Sequence, residues 1–258
     1  MQLKHLLTIV GLACVVSVQA TELKELRIGT DATYEPFEYK SPDGKVIGFE
    51  VDLANAICAE MKRSCVFVES PWDGIIPSLL AKKFDVIISG MTITDERRKT
   101  VSFSNKMTDI PYRIIVKRGS GQDGSPASLK GKKIGVQKAT TEANFAEKYY
   151  AKAGAMIMRY ESTQDSYLDL SAGRVDALIG NLVEMKMGFL AKPEGKPFEF
   201  APYELKDQTI LGYGAGAAMR QSDTKLMSEF NAALKTVRAN GTYKKIADKY
   251  FDFDVYGK

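Results

Sequence analysis

Residues 87–98 contain the groups best suited to binding a small anion. Gly90 permits close backbone approach, and Arg97 supplies a guanidinium. Thr92 and Thr94 supply hydroxyls, and Thr94 also begins the pattern of a helix start. Free N–H groups and a guanidinium at such a corner suit a carboxylate. A plain surface loop with Arg97 in an ion pair explains the same residues, so this stretch alone leaves both interpretations open.

The elements around this stretch are predicted to form a parallel α/β sheet. Strands are predicted at residues 26–30, 65–68 and 85–88, with helices at 51–61 and 75–83 between them. The strand at 85–88 is continuously apolar, which is typical of a strand covered on both faces. The β-α-β-α-β order indicates helices packed on a parallel sheet.

A second series of the same kind follows in the later half of the chain. Its strands are predicted at residues 133–136, 156–160 and 176–179, again alternating with helices. Residues 111–116 are predicted to be a connecting strand. Residues 210–219 are predicted to be a second strand, whose glycines and alanines suit a tight crossing.

One internal repeat relates the two series. Residues 79–90 and 170–181 share a helix end, a turn, an aspartate, an apolar strand and a polar strand end. If two α/β lobes face each other, the corners at Gly90 and Asn181 would lie on one cleft. Any two βαβ units look partly alike, so a coincidental likeness stays open.

The composition excludes several functional classes. The chain has 258 residues, a formal net charge of +4 and one histidine, His5, which lies within the first twenty residues. Ser-His-Asp and Cys-His catalysis are therefore not expected, and neither is a metal site. No Walker-type loop or GxGxxG precedes a helix, and Lys and Arg are not clustered. We expect no cofactor and no nucleic-acid partner.

The first twenty residues are predicted to be a secretory signal peptide. A short basic start is followed by the apolar run Leu6–Val18 and by small residues at Val18 and Ala20, with cleavage expected after Ala20. A buried first helix is the alternative interpretation. No later segment contains 18 consecutive apolar residues, so the mature chain is expected in the periplasm.

Cleavage leaves two cysteines, Cys58 and Cys65. An even number in an exported protein indicates a disulfide, and two free thiols are the alternative. A bridge here would close an eight-residue loop. The chain-entropy model assigns such a loop about 2.5 kcal/mol of stabilisation.

Polar and aromatic residues at strand ends and loop tips form the candidate ligand site, because such positions favour recognition over packing. An arginine with nearby N–H groups binds a carboxylate, and aromatics beside an aspartate hold a cationic side chain. The set therefore indicates a binding site for a basic amino acid. The two aromatic residues, Tyr34 and Trp72, are also explained as half-buried core positions. The candidates are Asp31, Tyr34, Trp72, Ser89, Gly90, Thr92, Arg97, Thr140, Thr141, Glu142 and Asn181.

Five segments together resemble one protein family over essentially the whole mature chain. They are residues 27–37, 48–53, 72–79, 87–98 and 241–251. The chain resembles the periplasmic lysine/arginine/ornithine- and histidine-binding proteins of ABC importers, which are members of solute-binding protein family 3. Each motif is weak alone, and the combination is specific.

The resemblance implies a periplasmic-binding-protein type II fold, with two α/β lobes joined by a two-strand hinge and a ligand cleft between them. Lobe 1 would comprise residues 21–110 and 213–258, and lobe 2 residues 111–212. The protein would be a monomer and not an enzyme. It would deliver an amino acid to an inner-membrane ABC permease and ATPase complex.

The resemblance also implies roles for individual residues. Arg97 would pair with the ligand α-carboxylate, helped by Thr92 and Thr141. The Gly90 backbone and the Thr92 hydroxyl would serve the α-ammonium. Asp31 would face a cationic side chain, with the rings of Tyr34 and Trp72 stacked on it, and the pair Cys58 and Cys65 would match the family disulfide.

One position departs from the family pattern. The family usually has an aspartate where this chain has Asn181, and Glu142 occupies a position that is more often glutamine. A carboxylate could have moved across the cleft. Alternatively, the ligand is an opine, whose amine is substituted, because opine-binding relatives resemble this chain here.

Two other functions remain alternatives at this stage. A periplasmic cyclohexadienyl dehydratase on the same fold would need a carboxyl acid beside a ring substrate, and Glu142 is a candidate. A sensor domain feeding a membrane receptor is the other, and the lack of a second anchor segment in this sequence argues against it.

Overall fold

The computed structural model describes residues 24–257, so the predicted signal peptide lies outside the described residues. No helix within 24–257 is long and apolar enough to cross a membrane. The first part of the chain contains β1 (Lys24–Thr30), β2 (Thr33–Tyr34), β3 (Glu38–Lys40), β4 (Val46–Ile47), α1 (Phe49–Glu60), β5 (Arg63–Glu69), α2 (Ile75–Leu80), β6 (Val86–Ile87), α3 (Asp95–Arg98) and β7 (Val101–Phe103).

The second part contains β8 (Tyr112–Lys117), β9 (Lys133–Gln137), α4 (Thr141–Ala146), β10 (Met156–Tyr160), α5 (Thr163–Ser171), β11 (Ala177–Asn181), α6 (Leu182–Glu184), β12 (Phe198–Phe200) and α7 (Gln208–Leu211). Glu147–Ala151 and Met185–Leu190 extend α4 and α6 as wider π-type turns. The chain ends with β13 (Ala218–Arg220), α8 (Thr224–Ala239) and α9 (Thr242–Ala247).

Two five-stranded sheets organise the molecule, in the orders β5-β1-β6-β13-β7 and β10-β9-β11-β8-β12. Strands β1, β5 and β6 run parallel, as do β9, β10 and β11. The parallel pairing predicted for each β-α-β-α-β series is therefore confirmed, and each sheet also contains a strand, β13 or β8, that runs antiparallel to its neighbours. The chain reaches both strands by crossing from the other lobe, not through a helix packed on the same sheet.

The chain crosses between the sheets twice. Between them, Thr108 and Ala215 form an antiparallel bridge, with the Ala215 N–H donating to the Thr108 carbonyl at 2.8 Å. Because β13 returns to the first sheet, that lobe contains both ends of the described chain. The lobe bounds at 110/111 and 212/213 remain predictions.

The predicted strand at residues 210–219 was wrong in its first half. Helix α7 lies there instead, and Asp207 Oδ1 accepts a hydrogen bond from the Thr209 N–H at 3.1 Å as its cap. Gly212 follows with φ +75, and a Cβ at this position would clash with Thr92 Cγ2. The glycine thus permits close approach to the candidate site, not a tight strand crossing.

Helix α1 and the C-terminal helices form the core of the first lobe. Phe49, Leu53 and Ile57 of α1 are fully buried. They belong to one cluster with Phe230 of α8 and Phe251. Burial of each such side chain stabilises the fold by roughly 2 kcal/mol.

The predicted disulfide is confirmed. Cys58 and Cys65 are bonded, with their Cα atoms 5.9 Å apart. The bridge connects the last turn of α1 to β5, so it holds the helix against the edge strand of the first sheet.

Candidate ligand-binding site

A small cavity of about 30 Å³ between the two lobes brings together nine of the eleven predicted site residues. We call it the smaller cavity. They are Asp31, Tyr34, Trp72, Ser89, Gly90, Thr92, Arg97, Thr140 and Glu142. The two candidates outside its lining are Thr141 and Asn181.

Arg97 forms a basic centre in this cavity. Helix α3 begins as predicted, because Thr94 Oγ1 accepts a hydrogen bond from the Arg97 N–H at 3.1 Å. The guanidinium donates to the Thr92 carbonyl at 2.9 Å and to the Ala139 carbonyl at 3.4 Å. It also lies 5.3 Å from the ring centroid of Trp72, whose indole N–H donates to Ala139 at 3.1 Å. Arg97 and Trp72 therefore converge on one carbonyl of the opposite lobe.

Asp31 and Glu38 form an acidic centre. Ser89 Oγ donates to Glu38 Oε1 at 3.0 Å and accepts from the Asp31 N–H at 2.9 Å. Gln137 of the second lobe donates to Asp31 Oδ2 at 3.1 Å. Burial raises the pKa of both carboxyl groups. Glu38 is 1 % exposed and its Oε2 has no hydrogen-bond partner, so this oxygen can receive a cation or a donor from a ligand.

Gly90 forms the corner at the end of the strand region that contains β6. Its φ of +56 favours glycine, and an added Cβ would lie 3.4 Å from the Tyr34 ring. The Gly90 N–H donates to Glu50 Oε2 at 2.8 Å. A buried carboxylate on α1 therefore holds the corner in place.

The β9–α4 corner supplies the second lobe's side of the cavity. Thr140 caps α4 as predicted, because its Oγ1 accepts from the Ala143 N–H at 3.1 Å. Thr141 Oγ1 donates to Glu142 Oε2 at 2.8 Å. Burial raises the pKa of Glu142, and Arg97 opposes part of that rise. These residues place a carboxyl group at the start of a helix inside the cleft.

Asn181 ends β11 and caps α6. Its Oδ1 accepts hydrogen bonds from the Val183 N–H at 2.9 Å and the Glu184 N–H at 3.2 Å. Asn181 lines a second cavity of about 440 Å³, here called the larger cavity. Gly90 lines it as well, so the two corners predicted from the internal repeat share one cavity.

Sequence reasoning missed Glu38, Gln137 and Tyr112, which line the smaller cavity. Tyr112 lines both cavities, and its hydroxyl lies 2.5 Å from Thr92 Oγ1. Its position at the start of the predicted connecting strand was the available signal. Glu38, between Phe37 and Tyr39, offered another signal, since an acid between aromatics is unusual on a solvated face.

The lobes touch across the cleft, in a closed arrangement. Lys192 of the second lobe forms an ion pair with Glu35 at 2.7 Å, and Lys138 forms one with Asp73 at 2.8 Å. The smaller cavity is lined by residues of both lobes and lies beside these cross-lobe contacts, so separation of the lobes would open it to a ligand. Within residues 24–257, no group of three His, Cys, Asp or Glu side chains is arranged to hold a metal ion.

Comparison with known proteins agrees with this geometry. Residues 26–253 match the model of the family described as bacterial extracellular solute-binding proteins, family 3. An L-arginine-binding protein of Pseudomonas aeruginosa is 46% identical over 91% of this chain and 90% of its own length. A lysine/arginine/ornithine-binding periplasmic protein of Escherichia coli is 42% identical over 96% of each chain.

The fold also resembles those of solved periplasmic binding proteins. A Salmonella typhimurium periplasmic binding protein described for its high arginine specificity superposes with a TM-score of 0.83 at 32% identity, over 88% of this chain and 99% of that one. This similarity confirms the predicted fold class. These relatives are named as binding proteins and not as enzymes, in agreement with the prediction. The chain belongs to the bacterial extracellular solute-binding proteins, family 3.

Proposed function

We propose that this protein captures a basic amino acid (arginine, lysine, ornithine or histidine) in the cleft and delivers it to an ABC importer of the inner membrane. Export to the periplasm after removal of residues 1–20 is part of the proposal. The observation that carries it is the unpartnered Oε2 of buried Glu38, in the same cavity as Asp31 and Arg97. The names of the relatives support the same ligand class.

Arg97 is the proposed partner of the ligand α-carboxylate. Two of its N–H groups hold backbone carbonyls, which fixes the plane of the guanidinium, and the others are available to a carboxylate. Trp72 covers one face of the group. A preoriented guanidinium loses little freedom when the ligand binds.

Asp31 and Glu38 are the proposed partners of the ligand's cationic side chain. Burial disfavours their charged forms, so a cation placed between them offsets the cost of keeping them ionised. The rings of Tyr34 and Trp72 line the same cavity and offer faces for an alkyl or guanidinium group. A ligand with a neutral side chain would leave the buried carboxyl groups of Asp31 and Glu38 without a compensating positive charge.

Closure couples binding to delivery in this proposal. Arg97, Asp31 and Trp72 all lie in the first lobe, while Gln137 and Glu142 lie in the second. A ligand that contacts both sets favours the closed form by its differential affinity for it. The importer would receive the protein in that form.

Titration calorimetry on the mature chain tests the proposal. We expect L-arginine, L-lysine, L-ornithine or L-histidine to bind at least tenfold more tightly than L-glutamine, which has a similar length and no charge. Binding of L-glutamine at equal or higher affinity would contradict the proposal, as would the absence of binding by every basic amino acid.

A further inference from the structure

We infer that Tyr112 is a positioning residue for ligand binding. Its hydroxyl donates a hydrogen bond to Thr92 Oγ1, which leaves the proton of Thr92 for the ligand α-carboxylate. The family resemblance gives Thr92 a role at both the carboxylate and the ammonium of an amino acid, and the contact with Tyr112 favours the carboxylate. This inference rests on the proposed function and deepens it by giving Tyr112 a role in the same site.

Tyr112 and Thr92 come from different lobes and meet beside the first crossing of the chain. Tyr112 is the first residue of β8, where it pairs with Asn181 of β11 in antiparallel register. Its hydroxyl oxygen lies 2.5 Å from Thr92 Oγ1. Thr92 is 5 % exposed, so water competes little for this contact. The hydrogen bond therefore belongs to the closed arrangement of the lobes.

The surroundings of the two hydroxyls indicate which one donates. A phenol is more acidic than an aliphatic alcohol, so it is the stronger donor and the weaker acceptor. Burial and the neighbouring Glu142 raise the pKa of Tyr112 above its ordinary value, so the hydroxyl keeps its proton. Thr141 Oγ1 lies 3.4 Å from the same hydroxyl, but its single proton has a closer acceptor in Glu142 Oε2 at 2.8 Å. Tyr112 therefore donates to Thr92, and the proton of Thr92 remains available.

Thr92 and the guanidinium of Arg97 are neighbours in the site. Arg97 donates to the Thr92 carbonyl at 2.9 Å, and both residues line the smaller cavity. A carboxylate only accepts hydrogen bonds and has two oxygens, so one guanidinium and one hydroxyl donor suit it. An ammonium only donates, so it would compete with Tyr112 for the lone pairs of Thr92 Oγ1. The Thr92 hydroxyl is thus matched to the carboxylate end of the ligand.

The hydroxyl of Tyr112 also makes Thr92 a stronger donor. A hydrogen bond received at Oγ1 polarises the O–H group of Thr92 and limits the rotation that a free hydroxyl has. The substitution Tyr112→Phe removes this hydrogen bond and keeps both the ring and the backbone pairing of β8 with β11. The variant should therefore lose affinity for a ligand carboxylate and keep its fold.

Competition calorimetry on the mature chain tests the inference with two probes, the basic amino acid that binds the wild type most tightly and its α-carboxamide. The amide has the same side chain and ammonium and lacks the carboxylate charge. Tyr112→Phe should weaken the amino acid roughly fivefold or more and the amide less than about twofold, because hydrogen bonds to charged groups are the stronger ones. Equal weakening of the two probes, or none, would overturn the inference while the proposed function stands. If the wild type binds no basic amino acid, both are wrong.

A double-mutant cycle with Thr92→Val needs only the amino acid as probe and tests whether Tyr112 acts through Thr92. Tyr112→Phe should cost less than about twofold in affinity in the Thr92→Val background and its full loss in the Thr92→Ser background, where a hydroxyl is kept. The same loss in both backgrounds would overturn the inference. The control is Tyr160→Phe, which removes a hydroxyl bonded to Asp169 at 2.7 Å outside both cavities. It should change affinity less than about twofold.

Discussion

The carboxylate of Glu50 on α1 accepts a hydrogen bond from the backbone N–H of Gly90, with 2.8 Å between donor and acceptor. This contact ties the core helix of the first lobe to the corner of the ligand cleft. Glu50 is 2 % exposed, and burial raises its pKa from 4.5 to about 7. The pH dependence of stability should reveal this group.

We expect the free energy of unfolding to fall between pH 5 and pH 8. A carboxyl group whose folded-state pKa is raised stabilises the protein below its unfolded pKa, and this contribution is lost as the pH rises through the folded value. For Glu50 the loss is on the order of 3 kcal/mol. Glu184, whose pKa burial raises to about 8, acts in the same direction.

Urea unfolding of Glu50→Gln across this range provides the test. The amide keeps an acceptor for Gly90 and does not titrate, so the fall in stability with pH should become shallower. Glu60→Gln, at the exposed end of the same helix, is the control and should keep the wild-type slope. An identical slope in all three proteins would show that Glu50 does not titrate in this range.

Arg97→Ala should weaken ligand binding by about 2 kcal/mol or more, roughly 30-fold in dissociation constant. The reason is that the substitution leaves the ligand carboxylate buried without its charged partner. Arg98→Ala changes an exposed neighbour and should leave affinity within about twofold. Calorimetry that shows equal affinity for wild type and Arg97→Ala would remove Arg97 from the site.

Asp31→Asn and Glu38→Gln should each weaken cationic ligands more than neutral ones. Removal of one carboxylate from the acidic centre takes away charge compensation for a cationic side chain and removes no partner of a neutral one. We expect a loss of about tenfold or more for L-arginine and a smaller loss for L-glutamine. Equal losses for the two ligands would mean that these residues do not distinguish side-chain charge.

Lys192→Ala should shift the lobes toward the open form. Its ion pair with Glu35 joins the lobes and is partly exposed, so its contribution is about 0.5–1 kcal/mol, or a two- to fivefold rise in dissociation constant. Small-angle scattering of the unliganded protein should show a larger radius of gyration. Lys40→Ala breaks a pair with Glu69 inside one lobe and should change neither quantity.

Loss of the disulfide should destabilise the protein by about 2.5 kcal/mol, because the eight-residue loop becomes free in the unfolded chain. The double substitution Cys58→Ser and Cys65→Ser, measured by urea unfolding, tests this value. Ligand affinity should stay close to wild type, since neither residue lines a cavity described above. Unchanged stability would show that the unfolded chain gains nothing from release of the loop.

The sequence predicted local elements well wherever periodicity and caps were strong. Thr94 and Thr140 begin helices as expected, because an N-cap hydroxyl acts within its own turn. Strand direction at β8 and β13 was not predictable, because no local feature shows from which lobe a strand is reached. Helix α7 was also missed. The glycines beside it suggested a strand crossing, whereas Gly212 in fact allows a close contact with Thr92, which is far away in sequence.

Some residues of the candidate site were predictable from the sequence, and others were identified from the structure. The types and spacing of Asp31, Trp72 and Arg97 were enough to indicate a basic amino acid, because charge and ring chemistry belong to the residue itself. Glu38 and Tyr112 had only weak local signals in the sequence, since their importance comes from burial and from neighbours distant in the chain.

Asn181 shows where the sequence alone stops being informative. The family resemblance indicated a missing carboxylate at this position, and the internal repeat indicated a likeness between its corner and the one at Gly90. Only the tertiary structure showed that the amide oxygen caps α6 and that the residue lines a different cavity from Arg97. Residue identity sets the available hydrogen-bonding groups, whereas long-range packing decides which of them remain free for a ligand.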